Sequence, residues 1–183
     1  MISQRDKNHF KKKVAIFASG AGSNAKKIIE YSAGNKEMYV GLIVCNKPGA
    51  GVLQIASDAH IPVLMIDKDE FFRGNGYVDE LINAGIHFIV LAGFLWKIPE
   101  IIIRAYMNRI INIHPALLPK YGGKGMYGLK VHEAVIAAGE KISGITIHYV
   151  NEQYDNGDVI FQCYLSCIAK RYTGYFSRKN SSS

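Results

Sequence analysis

The chain is poor in cysteine, has a single tryptophan and lacks any long apolar run, and each shortage excludes something. Cys45, Cys163 and Cys167 are an odd number with no CxxC spacing, which argues against both a zinc site and a disulfide framework. Cys45 closes the apolar run Gly41-Leu42-Ile43-Val44 and reads as a small buried hydrophobe. Reduced thiols suit a cytoplasmic location. No apolar stretch approaches the ~20 residues of a membrane-spanning helix, so no membrane partner is expected. Residues 1–13 are polar and basic and have no apolar core of a secretory signal.

Acidic residues are scarce at both ends. Arg5, Lys7, Lys11, Lys12 and Lys13 against Asp6 give residues 1–13 a net +4. Lys170, Arg171, Arg178 and Lys179 give residues 168–183 another +4, so of the formal +7 the body, 14–167, carries −1. The basic excess therefore reads as solvated ends, and no nucleic-acid partner is expected. A length of 183 residues suits one domain with a sizeable core.

What the chain does have is alternation. Short apolar runs at Val14–Ser19, Tyr39–Cys45, Pro62–Ile66, His87–Ala92 and Arg109–Ile113 read as strands. Between and after them, Ser23–Tyr31, Gly51–His60, Tyr77–Ala84, Pro99–Tyr106 and Leu129–Ala138 have helical spacing. Pro99 suits a first helical turn because its missing N–H has no partner there. Ile145–Val150 and Val159–Leu165 read as a final hairpin pair. Continuous apolar strands separated by helices predict an α/β fold, a doubly wound, mostly parallel sheet covered on both faces, with an antiparallel C-terminal edge. A helix over the last strand is expected in such a fold, and residues 166–183 show no helical or strand period.

Two segments carry chemistry. Ser19-Gly20-Ala21-Gly22-Ser23-Asn24 leaves the first strand and opens the first helix. Glycines let a backbone approach a phosphate, and the free N–H groups of a helix start hold it. The segment fits the dinucleotide fingerprint, but the acid expected about 20 residues on to hold a ribose is absent. Gly22, Ser23 and Asn24 instead suit a phosphate monoester, against the plainer possibility of a tight turn with Ser23 as N-cap.

The second segment is Asn112-Ile113-His114-Pro115. Alternation along a strand puts Asn112 and His114 on one side, and Pro115 ends the strand. An amide beside an imidazole at the carboxyl edge of an α/β sheet suggests acyl-transfer chemistry. A carboxylate at the same rim would come from Tyr154-Asp155-Asn156-Gly157-Asp158, with Asp155 and Asp158 both open on residue type alone and a simple turn as the alternative. His132 and His148 read as structural. Lys120–Gly128, rich in glycine, reads as a lid or a long exposed connection. Gly93–Ile98, with Trp96, offers apolar surface to a flat heterocycle or to the core.

These segments together resemble the folate-dependent phosphoribosylglycinamide formyltransferases. The resemblance runs from about Val14 to Leu165 and rests on Ser19–Asn24, Leu91-Ala92-Gly93-Phe94, Ile111–Tyr121 and Asp155–Gln162. It implies a Rossmann-like formyltransferase fold and transfer of a formyl group from 10-formyltetrahydrofolate to the amine of glycinamide ribonucleotide, in purine biosynthesis, with no metal. It also implies that Asn112, His114 and Asp155 are catalytic, and that Gly22, Ser23 and Asn24 hold the phosphate. By the same resemblance Arg73, Leu95, Trp96, Lys97, Ile98, Asn112, Asn151, Glu152, Gln153, Tyr154 and Asp155 contact the folate. Asn112 and a protonated His114 would stabilise an oxyanion, with Asp155 keeping His114 charged.

The resulting organisation is a basic N-terminal tail, 1–13, a catalytic domain, 14–165, and an atypical C-terminal tail, 166–183, in a monomer or homodimer. That last segment does not match the helix and substrate-binding glutamate with which the family continues, so weakened substrate affinity and stability are expected. The alternatives are a formyltetrahydrofolate hydrolase and a C-terminally defective transferase that only binds ligand.

Overall fold

The structure is a computed structural model and describes residues 10–167; the tail assigned to 1–13 lies largely, and that assigned to 166–183 lies in all but Ser166 and Cys167, outside them. The chain alternates β1 (Lys12–Ala18), α1 (Ser23–Ala33), β2 (Met38–Cys45), α2 (Gly51–Asp58), β3 (Val63–Met65), α3 (Lys68–Arg73), α4 (Val78–Asn83), β4 (Phe88–Leu91), α5 (Glu100–Ala105), β5 (Ile110–His114), α6 (Leu129–Ala137), β6 (Ile142–Tyr149) and β7 (Val159–Ser166). One seven-stranded sheet has the order β3-β2-β1-β4-β5-β6-β7. Strands β1 to β5 pair in parallel, while β5 with β6 and β6 with β7 are antiparallel. The strand order reverses direction between β1 and β4, and that crevice at the carboxyl ends is where open α/β sheets bind ligands.

The apolar strands are buried on both faces. Ala15, Phe17, Val44, Ile89 and Leu91 pack on one face with Phe71, Leu81, Ile102 and Tyr106 from α3 to the end of α5. Val14, Ile16, Ile43 and Val90 pack on the other with Ala25, Val52 and Ala56 from α1 and α2. Val131 and Val135 of α6 form a smaller cluster with Ala116. The edge strand β7 differs, with Val159, Ile160, Phe161 and Tyr164 exposed.

Two local departures from the sequence expectation have clear causes. Helix α3 was not expected; its cap is Asp67, whose carboxylate accepts from the N–H groups of Asp69 and Glu70 and satisfies otherwise orphaned donors. Strand β6 begins at Ile142, three residues before the expected start, and runs through Gly144. A side chain at that position would run into the Cys163 carbonyl of β7, so the glycine that weakens the strand signal permits the close strand approach.

Candidate active site

The glycine turn is built by packing. Gly22 is the N-cap of α1 with φ +79°, a left-handed backbone that favours glycine. A Cβ there would lie 2.8 Å from Val52 Cβ and 2.9 Å from Val52 Cα, so the turn nestles against α2. Ser23 is consequently the first residue of the helix and not its cap. The Ser19 hydroxyl accepts from Leu95 N–H at 3.0 Å and Ser19 N–H donates to the Gly93 carbonyl at 3.1 Å. These bonds clasp the glycine turn to the loop that leaves β4.

Asn112 and His114 stand at the carboxyl end of β5. Antiparallel pairing sets Asn112 opposite His148 and His114 opposite Thr146. The β6–β7 loop, residues 150–158, then returns Asp155 to the same place, with a left-handed backbone at φ +50°. Asp155 Oδ1 lies 3.3 Å from Asn112 Nδ2, 3.6 Å from His114 Nδ1 and 3.5 Å from His148 Nε2. Asp155 Oδ2 accepts from Gly123 N–H at 2.9 Å. Asp158 lends only its backbone carbonyl to Tyr149 N–H among the hydrogen bonds described, so Asp155 is the carboxylate of the rim.

The glycine-rich connection closes over these groups. His114 Nε2 is 2.8 Å from the Tyr121 carbonyl; a carbonyl only accepts, so Nε2 carries the hydrogen and Nδ1 faces Asp155. Behind them, fully buried Thr146 holds the loop that follows His114. Its hydroxyl donates to the Ala116 carbonyl at 2.6 Å and accepts from Leu118 N–H and Gln162 Nε2, each at 3.0 Å. One donor and two acceptors use the hydroxyl completely.

Burial and charge oppose each other here. Burial pushes His114 below its usual 6.5, and Asp155 and the Tyr121 carbonyl offset only part of that. Burial would raise the Asp155 carboxyl, but the rings of His148 and His114 and the Gly123 N–H together hold it below its usual value. Asp155 raises the proton affinity of His114, as expected, while desolvation is the larger influence and the net direction is downward. His132 of α6 is also pushed down, by burial first and then by His114.

A cavity of about 400 Å³ joins these parts. It is lined by Ser19, Gly20 and Asn24 from the glycine turn and by Asn112, His114, His148 and Asp155 from the carboxylate network. Leu95, Trp96, Lys97, Ile98, Asn151, Gln153 and Tyr154 form another wall, and Gly123, Gly125, Met126, Tyr127 and Gly128 with His132 a third. Trp96 does both things open to it, lining the cavity while packing on Phe71 and Phe72 at 5.5 and 5.6 Å between ring centroids. Lys97 Nζ sits 5.4 Å from the Tyr154 ring centroid, across the two loops. Gly22, Ser23 and Glu152 are not among the residues that line it. Arg73 lies apart from the lining, exposed at the end of α3 and paired with Asp69 at 3.3 Å. Sequence reasoning treated His148 and His132 as structural and did not single out Thr146. The alternation Thr146-Ile147-His148 beside Asn112-Ile113-His114 was the available signal, but it speaks only once the register is known.

Among the described residues no group of three or more His, Cys, Asp or Glu side chains could hold a metal ion. None of the described helices is long and apolar enough to cross a membrane.

The α/β sheet thus gathers an amide, imidazoles and a carboxylate around one cavity at its carboxyl edge. The chain belongs to the formyl transferase family, whose match covers residues 12–179. It is 46% identical over 165 residues to a chloroplastic phosphoribosylglycinamide formyltransferase of Arabidopsis thaliana, covering 87% of this chain and 56% of that one. It is 36% identical over 156 residues to phosphoribosylglycinamide formyltransferase of Bacillus subtilis (strain 168), covering 82% of this chain and 77% of that one. The crystal structure of phosphoribosylglycinamide formyltransferase from Bacillus halodurans superposes with a TM-score of 0.82 at 37% identity, over 93% of this chain and 88% of that one. The chain spans about half the length of the plant relatives, 56% and 53% of them.

Proposed function

We propose that this chain transfers the formyl group of 10-formyltetrahydrofolate to the amine of glycinamide ribonucleotide, a step of purine biosynthesis, in the cytoplasm. The observation that carries the reading is the single cavity shared by the glycine turn and the Asn112–His114–Asp155 network. The α1 start, with Asn24 on the cavity and no acid in the first helical turn, suits the phosphate. Leu95, Trp96, Ile98 and the segment from Asn151 to Asp155 offer a mixed apolar and polar wall that suits a flat folate heterocycle.

The amine attacks the formyl carbon, the bond from that carbon to the folate nitrogen breaks, and a proton passes from the amine to that nitrogen. Asn112 and His114 border the cavity in which charge develops on the formyl oxygen and stabilise it there. The anionic phosphate and the developing oxyanion raise the affinity of His114 for a proton, and Asp155 adds to that pull. Burial, which lowers the proton affinity of the ring, also strengthens these interactions once they form. Asp155 further orients the ring.

Incubation of the full chain with both substrates, followed by mass spectrometry, tests the reading. Formylated ribonucleotide is the expected product. Release of formate without it would identify a hydrolase, and calorimetric binding of both ligands without turnover would identify a binding protein.

A further inference from the structure

The chemistry above makes no use of Glu140, which sits between the end of α6 and the start of β6. Its carboxylate gathers the root of the glycine-rich connection: Oε1 accepts from the Tyr121 hydroxyl and from Lys120 Nζ, each at 2.9 Å. The other end of Tyr121 is at the active site, where its carbonyl lies 2.8 Å from His114 Nε2. One residue thus bridges Glu140 and His114. Its backbone is left-handed at φ +57°, a conformation that a bulky side chain keeps only where its surroundings over-determine it. The surroundings here are the hydroxyl bond to Glu140 and the packing of the ring against the cluster of Ala116, Val131 and Val135.

A neutral imidazole has one N–H and one bare nitrogen. Two acceptors compete for the hydrogen of His114: the Tyr121 carbonyl at Nε2, 2.8 Å away, and Asp155 Oδ1 at Nδ1, 3.6 Å away. Only the first lies within hydrogen-bond length. Nε2 therefore keeps the hydrogen, and Nδ1 is the nitrogen left to take a proton. With the carbonyl displaced, Asp155 would draw the hydrogen to Nδ1 and leave Nε2 bare. We propose that Glu140 is a positioning residue: through the Tyr121 hydroxyl it holds the Tyr121 carbonyl on His114 Nε2, so that Nδ1 is the ring nitrogen offered to the reaction. Its kinetic consequence rests on the formyl-transfer reading.

The protonation states suit the task. Lys120 first, and then the Tyr121 hydroxyl, hold the Glu140 carboxyl below its usual value. Desolvation first, and then Glu140, push the Tyr121 hydroxyl above its usual value. Acceptor and donor thus keep charge and hydrogen respectively at neutral pH, the stronger kind of hydrogen bond. The charged and titratable groups that face His114 are Asp155 of the β6–β7 loop, His148 of β6 and His132 of α6. Of the neighbours acting on His114, Asp155 and the Tyr121 carbonyl raise its proton affinity, and a charged ring can donate to both.

The test combines nuclear magnetic resonance and kinetics on the full chain. In nitrogen-labelled protein the neutral His114 ring should carry its hydrogen on Nε2 in the wild type and in Glu140→Gln, whose amide oxygen still accepts from the hydroxyl. In Glu140→Ala and in Tyr121→Phe the hydrogen should shift toward Nδ1, and the His114 midpoint should fall because a contact that raises it is lost; Tyr121→Phe carries the test if Glu140→Ala does not fold. A His114 ring with the same tautomer and midpoint in both variants overturns the proposal. In the transfer assay each of these two variants should lower kcat about tenfold, the scale of a misplaced catalytic group, with KM for the ribonucleotide changed by less than about threefold. Glu140→Gln should stay within about threefold of the wild-type kcat. The double variant should lose about tenfold, because both changes break one link, and losses that multiply to about 100-fold overturn the proposal. An unchanged kcat in both single variants overturns it as well. A wild-type chain that makes no formylated product overturns the formyl-transfer reading, and the tautomer of His114 still decides the role of Glu140.

Discussion

The parallel half of the sheet and its antiparallel extension do different work. Strands β1 to β5 contribute the double-sided core, with Ile16, Ile43 and Ile89 fully buried. Strands β6 and β7 contribute far less burial, and Phe161 and Tyr164 stand 53% and 65% exposed. Yet the extension supplies His148, Thr146 and Gln162, and its loop supplies Asp155. The parallel half presents Asn112 and His114 as two polar groups on a strand end; the extension turns them into a charged network. Stability and electrostatics are thus separated in the molecule, and substitutions in the two regions should show different signatures.

The largest expected effect falls on activity through the extension. Asp155→Asn keeps the shape and removes the charge, and kcat for formyl transfer should fall about 1,000-fold while the thermal melting profile stays cooperative. A loss of activity matched by a loss of folded protein would erase the proposed division. The counterpart in the parallel half is Ile43→Ala, which empties a fully buried site in β2 and should cost about 2–5 kcal/mol in urea unfolding. Its kcat per folded molecule should change little.

Thr146 joins the two signatures because it holds the loop after His114. Thr146→Val leaves the Leu118 N–H without its acceptor and the Ala116 carbonyl without its donor. It should cost about 1–3 kcal/mol and lower kcat about tenfold through misplacement of the loop. Finding only one of the two effects would assign Thr146 to one region.

A smaller effect appears in the pH dependence of stability. The folded-state values of His114 and His132 lie below the usual 6.5, so the unfolded chain binds these protons first as pH falls. Their contribution is present above about pH 6.5 and is lost as pH falls toward the folded values. His114→Asn should therefore flatten the decline in urea stability between about pH 7 and about pH 5. Asp155, also held low, adds stability that is lost as the pH falls through the usual carboxylate value toward the folded one. The smallest effect belongs to the exposed edge: Tyr164→Thr in β7 should change stability by no more than about 0.5 kcal/mol, and a larger loss would show that β7 is covered.

Much of the fold is legible before any coordinates. The runs at Tyr39–Cys45 and Arg109–Ile113 match strands within a residue at most ends, because strands buried on both faces are marked by unbroken apolar residues. Helix α3 escapes because Lys68–Arg73 is too short to show a period, and only the Asp67 cap marks it. The start of β6 escapes because Gly144 reads as a breaker until Cys163 of β7 is set against it. In the site, the glycine turn and the Asn112–His114 pair are local patterns and can be read locally. The choice of Asp155 over Asp158 needed the resemblance, and the place of His148 needed the register.

The order of residues determined which strands are buried on both faces, where they end and which polar groups stand at the end of β5, because apolar periodicity and chain punctuation act over a few residues. Tertiary structure decided the desolvation of His114 and the meeting of the Asn112 amide with His148 and Asp155. Those outcomes depend on desolvation and on donor and acceptor distances among side chains some 40 positions apart in the chain, and neighbours in sequence carry no information about either.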